Sequence, residues 1–329
     1  MKTRNIFGWI ARIVIGLVFL ASAVTKYISI DAFEQFVYEH QLFSWTMTTV
    51  LTRLLIACEF ALGALLLIGL YPKTVKTLII AFLAGFSIYI LLKPAFFNVS
   101  QENCHCFGTV LILNDTQTLI KNVVLLLLSV FLFWNKGIAT KKHSNEETKA
   151  EPERKNLCSW IKNNQAYCTF LVCLASVMAT MLITMPDFLQ YKLNGRAAKI
   201  NETKFTELVN HEVVQPLEIN TGKKIVCMYS AECKFCKRTA MRFEVMRQKY
   251  SIDDKQFAII FWGRPDKIQS FFANTKAKPL PYVVVDPRPF LAATKGRQPI
   301  VILTNNGKVE KVLKYNTLTD EEITKFLGK

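Results

Sequence analysis

Histidine is scarce in this chain: four residues in 329, of which only His211 lies beyond residue 187. A structural zinc site needs four ligands, usually a second Cys-x-x-Cys or a His pair. The chain has one Cys-x-x-Cys, Cys233-Lys234-Phe235-Cys236, and no second, which argues against a zinc site there and for redox chemistry. Nine cysteines are too few, and too unevenly spread, for a disulfide scaffold at this length. Acidic residues are also short, 25 against 41 Lys and Arg, for a net charge of +16. The basic clusters flank apolar runs, so membrane topology explains them better than nucleic acid does, and no nucleic-acid partner is expected. Two connections, 28–46 and 98–116, hold no Lys or Arg at all.

What is abundant is apolar surface: 51% of residues are hydrophobic, concentrated before residue 190. Apolar runs at 7–27, 47–70, 77–97, 117–135 and 167–186 are each long enough to cross a bilayer. Ala21-Ser22-Ala23 resembles a signal-peptide cleavage site. The length of the first run and the spans after it favour a retained helix. Residues 136–166 are polar and charged and read as a solvated linker. Lys and Arg outside the spans gather in 1–6, 71–76 and 136–166. The positive-inside rule therefore puts these segments in the cytoplasm, and the 28–46 and 98–116 connections on the outer side. Five spans then carry the C-terminal part out as well, to the side of Cys104-His105-Cys106.

Residues 188–329 read as an α/β domain. A helix pattern covers about 203–213. A β-prone run, 224–229, feeds a helical pattern from 233 to 250, so Cys233 meets free N–H groups and the positive end of a helix dipole, which favour a thiolate. Phe257–Trp262 is a second strand, 267–274 a helix, and Tyr282–Val285 a short strand within the proline-rich stretch 275–298. Asn305-Asn306-Gly307 closes a hairpin of 299–304 and 309–313. Thr319 opens a last helix whose first turn carries Asp320, Glu321 and Glu322.

That order of elements resembles the thioredoxin fold over about 205–329. The resemblance is carried by Cys233-Lys234-Phe235-Cys236 and by Gln298-Pro299 before the hairpin. It implies Cys233 as attacking thiol, Cys236 as resolving thiol and Pro299 as a cis residue packed against them. Ala231-Glu232 stands where the family commonly has Trp, and 275–298 is longer than usual. The first 140 residues resemble the DoxX/MauE family of four-helix membrane proteins. Here the carriers are Arg12 through Gly16, Phe19, Ser22, Lys26, Glu59, Gly63, Cys104-His105-Cys106-Phe107-Gly108 and Thr118 through Asn122. MauE-type proteins are implicated in making or maintaining disulfides in exported partners; their usual Gly between the cysteines is His105 here. DsbB and vitamin K epoxide reductase, which pass electrons to a quinone, are analogies only, because their membrane Cys-x-x-Cys is absent.

The expected architecture is an all-α transmembrane four-helix bundle (1–140), a cytoplasmic linker (141–166), a fifth membrane helix (167–187) and a thioredoxin-like α/β domain (188–329). The expected function is a membrane-bound thiol–disulfide oxidoreductase of a bacterial inner membrane, its thioredoxin-like domain on the periplasmic side. Electrons would pass between exported protein thiols, Cys233/Cys236 and Cys104/Cys106, with a membrane quinone as candidate carrier. The competing function is a non-catalytic metal-binding or chaperone protein using Cys104, His105 and Cys106, three consecutive ligands for a thiophilic ion. Cys58, Cys168, Cys173 and Cys227 read as small buried hydrophobes. Glu59 either finds a structural partner inside the membrane, Arg12 or Arg53 by position, or serves in proton or quinone handling. Lys26 is expected to snorkel to the outer interface. Phe82 and Phe86 read as packing or lipid contacts.

Overall fold

The computed structural model describes residues 2–70, 72–96, 113–134, 160, 163–186, 189 and 199–329. Cys104, His105, Cys106 and Cys158 lie outside the described residues. The chain forms two compact units: residues 1–36 with 49–185, and residues 37–48 with 186–329.

The first unit is all helix: α1 (Lys2–Ile28), α2 (Ile30–Tyr38, its last two residues in the other unit), α3 (Trp45–Ile68), α4 (Pro72–Phe96), α5 (Asp115–Trp134) and α6 (Gln165–Leu182). All but α2 are long and apolar enough to span a membrane. In hydrocarbon, a backbone must satisfy its own polar groups, which a continuous helix does. Ala11, Ile15 and Phe19 of α1 pack with Leu62, Leu65 and Leu66 of α3, Ile79 and Leu83 of α4, and Leu125 and Leu132 of α5. Glycine lets α1 and α3 approach closely. A Cβ at Gly63 would sit 3.0 Å from the Gly16 carbonyl oxygen and 3.0 Å from the Leu20 side chain, the small-residue contact by which membrane helices associate.

The second unit is a five-stranded mixed sheet of order β3-β2-β1-β4-β5, covered by helices on both faces. Its elements are α7 (Glu202–Val209), β1 (Lys223–Ser230), α8 (Lys234–Lys249), β2 (Phe257–Trp262), α9 (Asp266–Thr275), β3 (Tyr282–Val285), α10 (Pro287–Thr294), β4 (Ile300–Asn305), β5 (Lys308–Lys314) and α11 (Asp320–Leu327). Strands β1, β2 and β3 are parallel, β4 and β5 antiparallel to their neighbours. Strand β1 is buried from Lys224 to Ser230, the near-continuous apolar run of a central strand covered on both faces. Its residues alternate, as the pleat requires. Ile225, Cys227 and Tyr229 pack with Phe243 and Met246 of α8, Phe271 of α9 and Ile323 of α11. Val226 and Met228 pack on the other face with Phe205 of α7 and Phe290 of α10. The hairpin turns on Asn306 and Gly307, both at positive φ (49° and 78°), the backbone a two-residue hairpin loop asks for. The whole is five membrane-length helices followed by an α/β domain consistent with a thioredoxin-like fold.

Helix α10 lies within the stretch that composition leaves unassigned. Asp286 takes the N-cap position and Pro287 the first turn, where proline's missing N–H costs nothing.

Candidate active site

Strand β1 ends at Ser230, and Cys233 caps α8. Its sulfur accepts a hydrogen bond from the backbone N–H of Cys236 at 3.3 Å. Cys233 is half-buried, whereas Cys236, one turn on, is fully buried, and the Ser230 N–H points at its sulfur at 3.5 Å. Both are free thiols. The hydrogen bond from the Cys236 thiol is the largest effect on Cys233. Backbone N–H groups of Cys236 and Phe235 and the charge of Lys237 add to it, and together they overcome burial and hold the Cys233 thiol down at about 6. Cys236 moves the other way: burial first, then the negative Cys233 sulfur, push it well above the thiol range. One accessible sulfur is therefore ionised at neutral pH while its covered neighbour keeps its proton, the division of labour that thiol–disulfide exchange needs.

The Gln298–Pro299 peptide is cis. Ile300 pairs with Met228, so this bond lies at the sheet end from which Cys233 emerges, and Gln298 Oε1 accepts from Trp262 Nε1. Phe235, between the cysteines, is about half exposed (49%). Its ring meets that of Tyr315 edge-on at 5.3 Å.

Helix α8 is held from behind by residues that composition does not mark. Arg242, one of the largest fully buried side chains, lies between the Trp45 ring (3.4 Å to the centroid) and the Tyr315 ring (3.9 Å), and donates to the Tyr315 carbonyl at 2.9 Å. Asp320, 1% exposed, accepts from Tyr38 Oη (2.9 Å), the Trp45 N–H (2.9 Å), Tyr250 Oη (2.8 Å) and Lys249 Nζ (3.4 Å). Burial and that carboxylate push the Tyr38 and Tyr250 hydroxyls up, so both remain donors. Residues 37–48 thus build part of the α/β unit although they precede it by more than 130 residues. An Arg among three on α8 (Arg238, Arg242 and Arg247) and a first-turn acid (Asp320) were the signals available beforehand, and neither names its partner.

In the membrane unit, several sequence expectations need correction. Lys26 does not snorkel. It is buried at 6% exposure and pairs with Glu59, 6% exposed, at 2.5 Å, with Ser22 Oγ bridging both. Lys26, in the last turn of α1, reaches Glu59 across the helix pair, and in a membrane-spanning bundle a paired charge is cheaper than a lone one. Glu59 pairs with neither Arg12 nor Arg53: Arg12 donates to the carbonyls of Leu66 and Leu67, and Arg53 pairs with Glu34. Cys58 and Cys173 are exposed rather than buried and line a cavity between α3, α4 and α6, while Cys168 is intermediate and packs against the bundle core. Cys227 is buried in β1 as expected. Phe82 packs against the bundle core as expected, and with Phe86 it also lines a cavity that holds Lys26 and Glu59. No group of three or more metal-ligating side chains occurs among the described residues.

The bundle is also the part of the chain that a known family covers. Residues 4–135 match the family described as methylamine utilisation protein MauE. The whole chain is similar to a curated relative, Protein TlpB of Flavobacterium psychrophilum. The two are 27% identical over 340 residues, covering 94% of this chain and 91% of the relative. With five membrane-length helices among the described residues and a match to the MauE family over 4–135, this is a multi-pass membrane protein that associates with lipid.

Proposed function

We propose that the protein is a membrane thiol–disulfide oxidoreductase whose reacting dithiol is Cys233/Cys236, with Pro299 presenting backbone to the partner peptide. The observation that carries this is the pairing of a half-exposed thiol held at about 6 with a fully buried thiol held high, three residues on. In the oxidising direction, a thiolate of an exported protein attacks the Cys233–Cys236 disulfide. The mixed disulfide forms as Cys236 leaves as thiolate, and a second partner thiolate then displaces Cys233. Two thiols of the partner become one disulfide, and the Cys233/Cys236 disulfide becomes two thiols. The reducing direction is the reverse.

Cys104 and Cys106 are proposed as the second couple, exchanging with the first and passing electrons to or from a membrane quinone. Chain parity supports one compartment for both couples. Residues 37–48, at the connection between the first and second spans and the start of the second, form one compact unit with 186–329, which supports one aqueous side for these segments. The connection holding Cys104 and Cys106 lies two spans later, between the third and fourth, and alternation returns it to that side. By the positive-inside rule this is the periplasmic side of an inner membrane.

The test is exchange by the full chain in lipid. Cys233→Ser is expected to abolish dithiol turnover, and Cys236→Ser to accumulate mixed disulfides with partner proteins. Wild-type turnover by both variants would overturn the proposal.

A further inference from the structure

The membrane bundle carries a second built site. Ser22 and Lys26 of α1, Glu59 of α3, and Lys121 and Asn122 of α5 line a cavity of ≈ 40 Å³, together with Phe19, Phe82, Phe86 and other apolar side chains. Asn122 is 1% exposed, and its Nδ2 has no hydrogen-bond partner among the described residues. An amide buried that deeply costs free energy unless something accepts its N–H groups. A cavity of this size admits about three water molecules, and its wall offers the polar groups of Ser22, Lys26, Glu59, Lys121 and Asn122. An ion pair kept inside a span is also a poor device for stability alone, since apolar side chains of the same volume generally do as well.

Resting on the thiol–disulfide function proposed above, we infer that Ser22, Lys26, Glu59 and Asn122 form a hydrated proton-exchange site within the membrane domain. Its ligands are water and the proton. Asn122 Nδ2 donates to cavity water, and that water faces the Lys26–Glu59 pair. Glu59 carboxylate takes a proton from a hydronium in the cavity, giving the carboxylic acid and water, and returns it by the reverse step. Oxidising a dithiol with a quinone releases two protons at the thiols and takes up two at the quinone oxygens, and the site relays protons between the two. Among the lining side chains, the charged groups facing Glu59 are Lys26 on α1 and Lys121 on α5; the lining residues of α4 (Phe82, Leu83 and Phe86) bring no charge. The ring of Phe33 on α2 lies 5.7 Å from Lys26 Nζ.

Two readouts on the full chain in lipid bilayers test this. Infrared difference spectra on lowering the pH should show a carboxylic-acid C=O band that shifts in D₂O and is lost in Glu59→Gln. In Asn122→Leu, which fills the cavity and removes the donor, the band should lose its D₂O response. Dithiol turnover by Glu59→Gln should fall by at least about tenfold and lose its pH dependence. The double variant Lys26→Met/Glu59→Gln leaves no lone buried charge and should be equally slow while remaining folded. A titrating band in a protein with no dithiol turnover would sink the oxidoreductase function and leave the proton site standing. The absence of any Glu59 band, or wild-type turnover and pH profile in the double variant, would overturn the site.

Discussion

The two units bury charge in different ways. In the bundle, Lys26 and Glu59 form a closed pair at 2.5 Å with Ser22 as bridge, because no solvent lies beyond the helices. In the α/β unit, Asp320 gathers four donors from α8, from its C-cap Tyr250 and from residues 37–48. Arg242 likewise shares itself between two rings and a carbonyl. A pair is a local solution: two residues on neighbouring helices suffice, and removal of one strands the other. A hub is distributed, so losing one donor leaves others in place, while losing the acceptor releases all of them.

The sharpest break of this contrast is therefore in the bundle. Glu59→Leu leaves Lys26 buried without its carboxylate and is expected to cost about 3–5 kcal/mol. Denaturant titration of the solubilised full chain measures it. Lys26→Met/Glu59→Leu should recover most of the loss, because the remaining volume is apolar and the charge is gone. If the double variant is as unstable as the single one, the pair is not what holds that part of the bundle. In the α/β unit, Arg242→Ala should cost less, about 2–3 kcal/mol, through lost ring stacking and one charged hydrogen bond. Its signature is local: hydrogen exchange at the Trp45 amide and through residues 37–48 should speed up before the sheet is affected. Unchanged protection there would mean that Asp320 holds the segment without Arg242.

How much of this was legible beforehand follows the range of the interactions. The spans, the central strand, the hairpin and the helix beginning at Thr319 rest on local patterns: apolar length, a short continuous β-prone apolar run, an Asn-Gly turn, a capping Thr with acids behind it. Cys233/Cys236 and the Gln298–Pro299 step are short motifs and were visible for the same reason. Helix α10 carried its signal too, Asp286 followed by Pro287, obscured by the prolines around it. What could not be read was which charge meets which. Glu59 sits 33 residues from Lys26 in sequence and 6 from Arg53, yet pairs with the former. The Tyr38–Asp320 contact spans 282 residues. Charge type gives the need for a partner, and only the packing gives its identity.

A third way to sharpen the comparison lies at the dithiol, where one group is tuned by another without any full charge pair. Cys236→Ala removes the thiol whose hydrogen bond does most to hold the Cys233 sulfur as thiolate. The alkylation rate of Cys233 in the full chain, followed against pH, should titrate near about 6 in the wild type. In the variant the midpoint should rise toward the ordinary thiol range. The backbone N–H groups and Lys237 remain, so the rise should be partial. A midpoint that does not move would assign the tuning to the helix end alone.

The smallest expected effect is on the stability of the reduced protein. The folded Cys233 thiol sits below its unfolded value, so folding favours the thiolate. The contribution is fully present above the unfolded thiol's range, and it is lost as pH falls through about 6. Cys236, raised by burial, opposes it only at alkaline pH, where the unfolded thiol would ionise and the folded one would not. Because Cys233 is half-exposed, solvent screens much of the gain. The denaturation midpoint of the reduced chain should therefore climb gently from about pH 6 toward neutrality, and Cys233→Ser should flatten that slope. A slope that survives in Cys233→Ser would belong to some other group. An equally flat profile in the wild type would mean that the unfolded chain already holds its thiolate at the same cost.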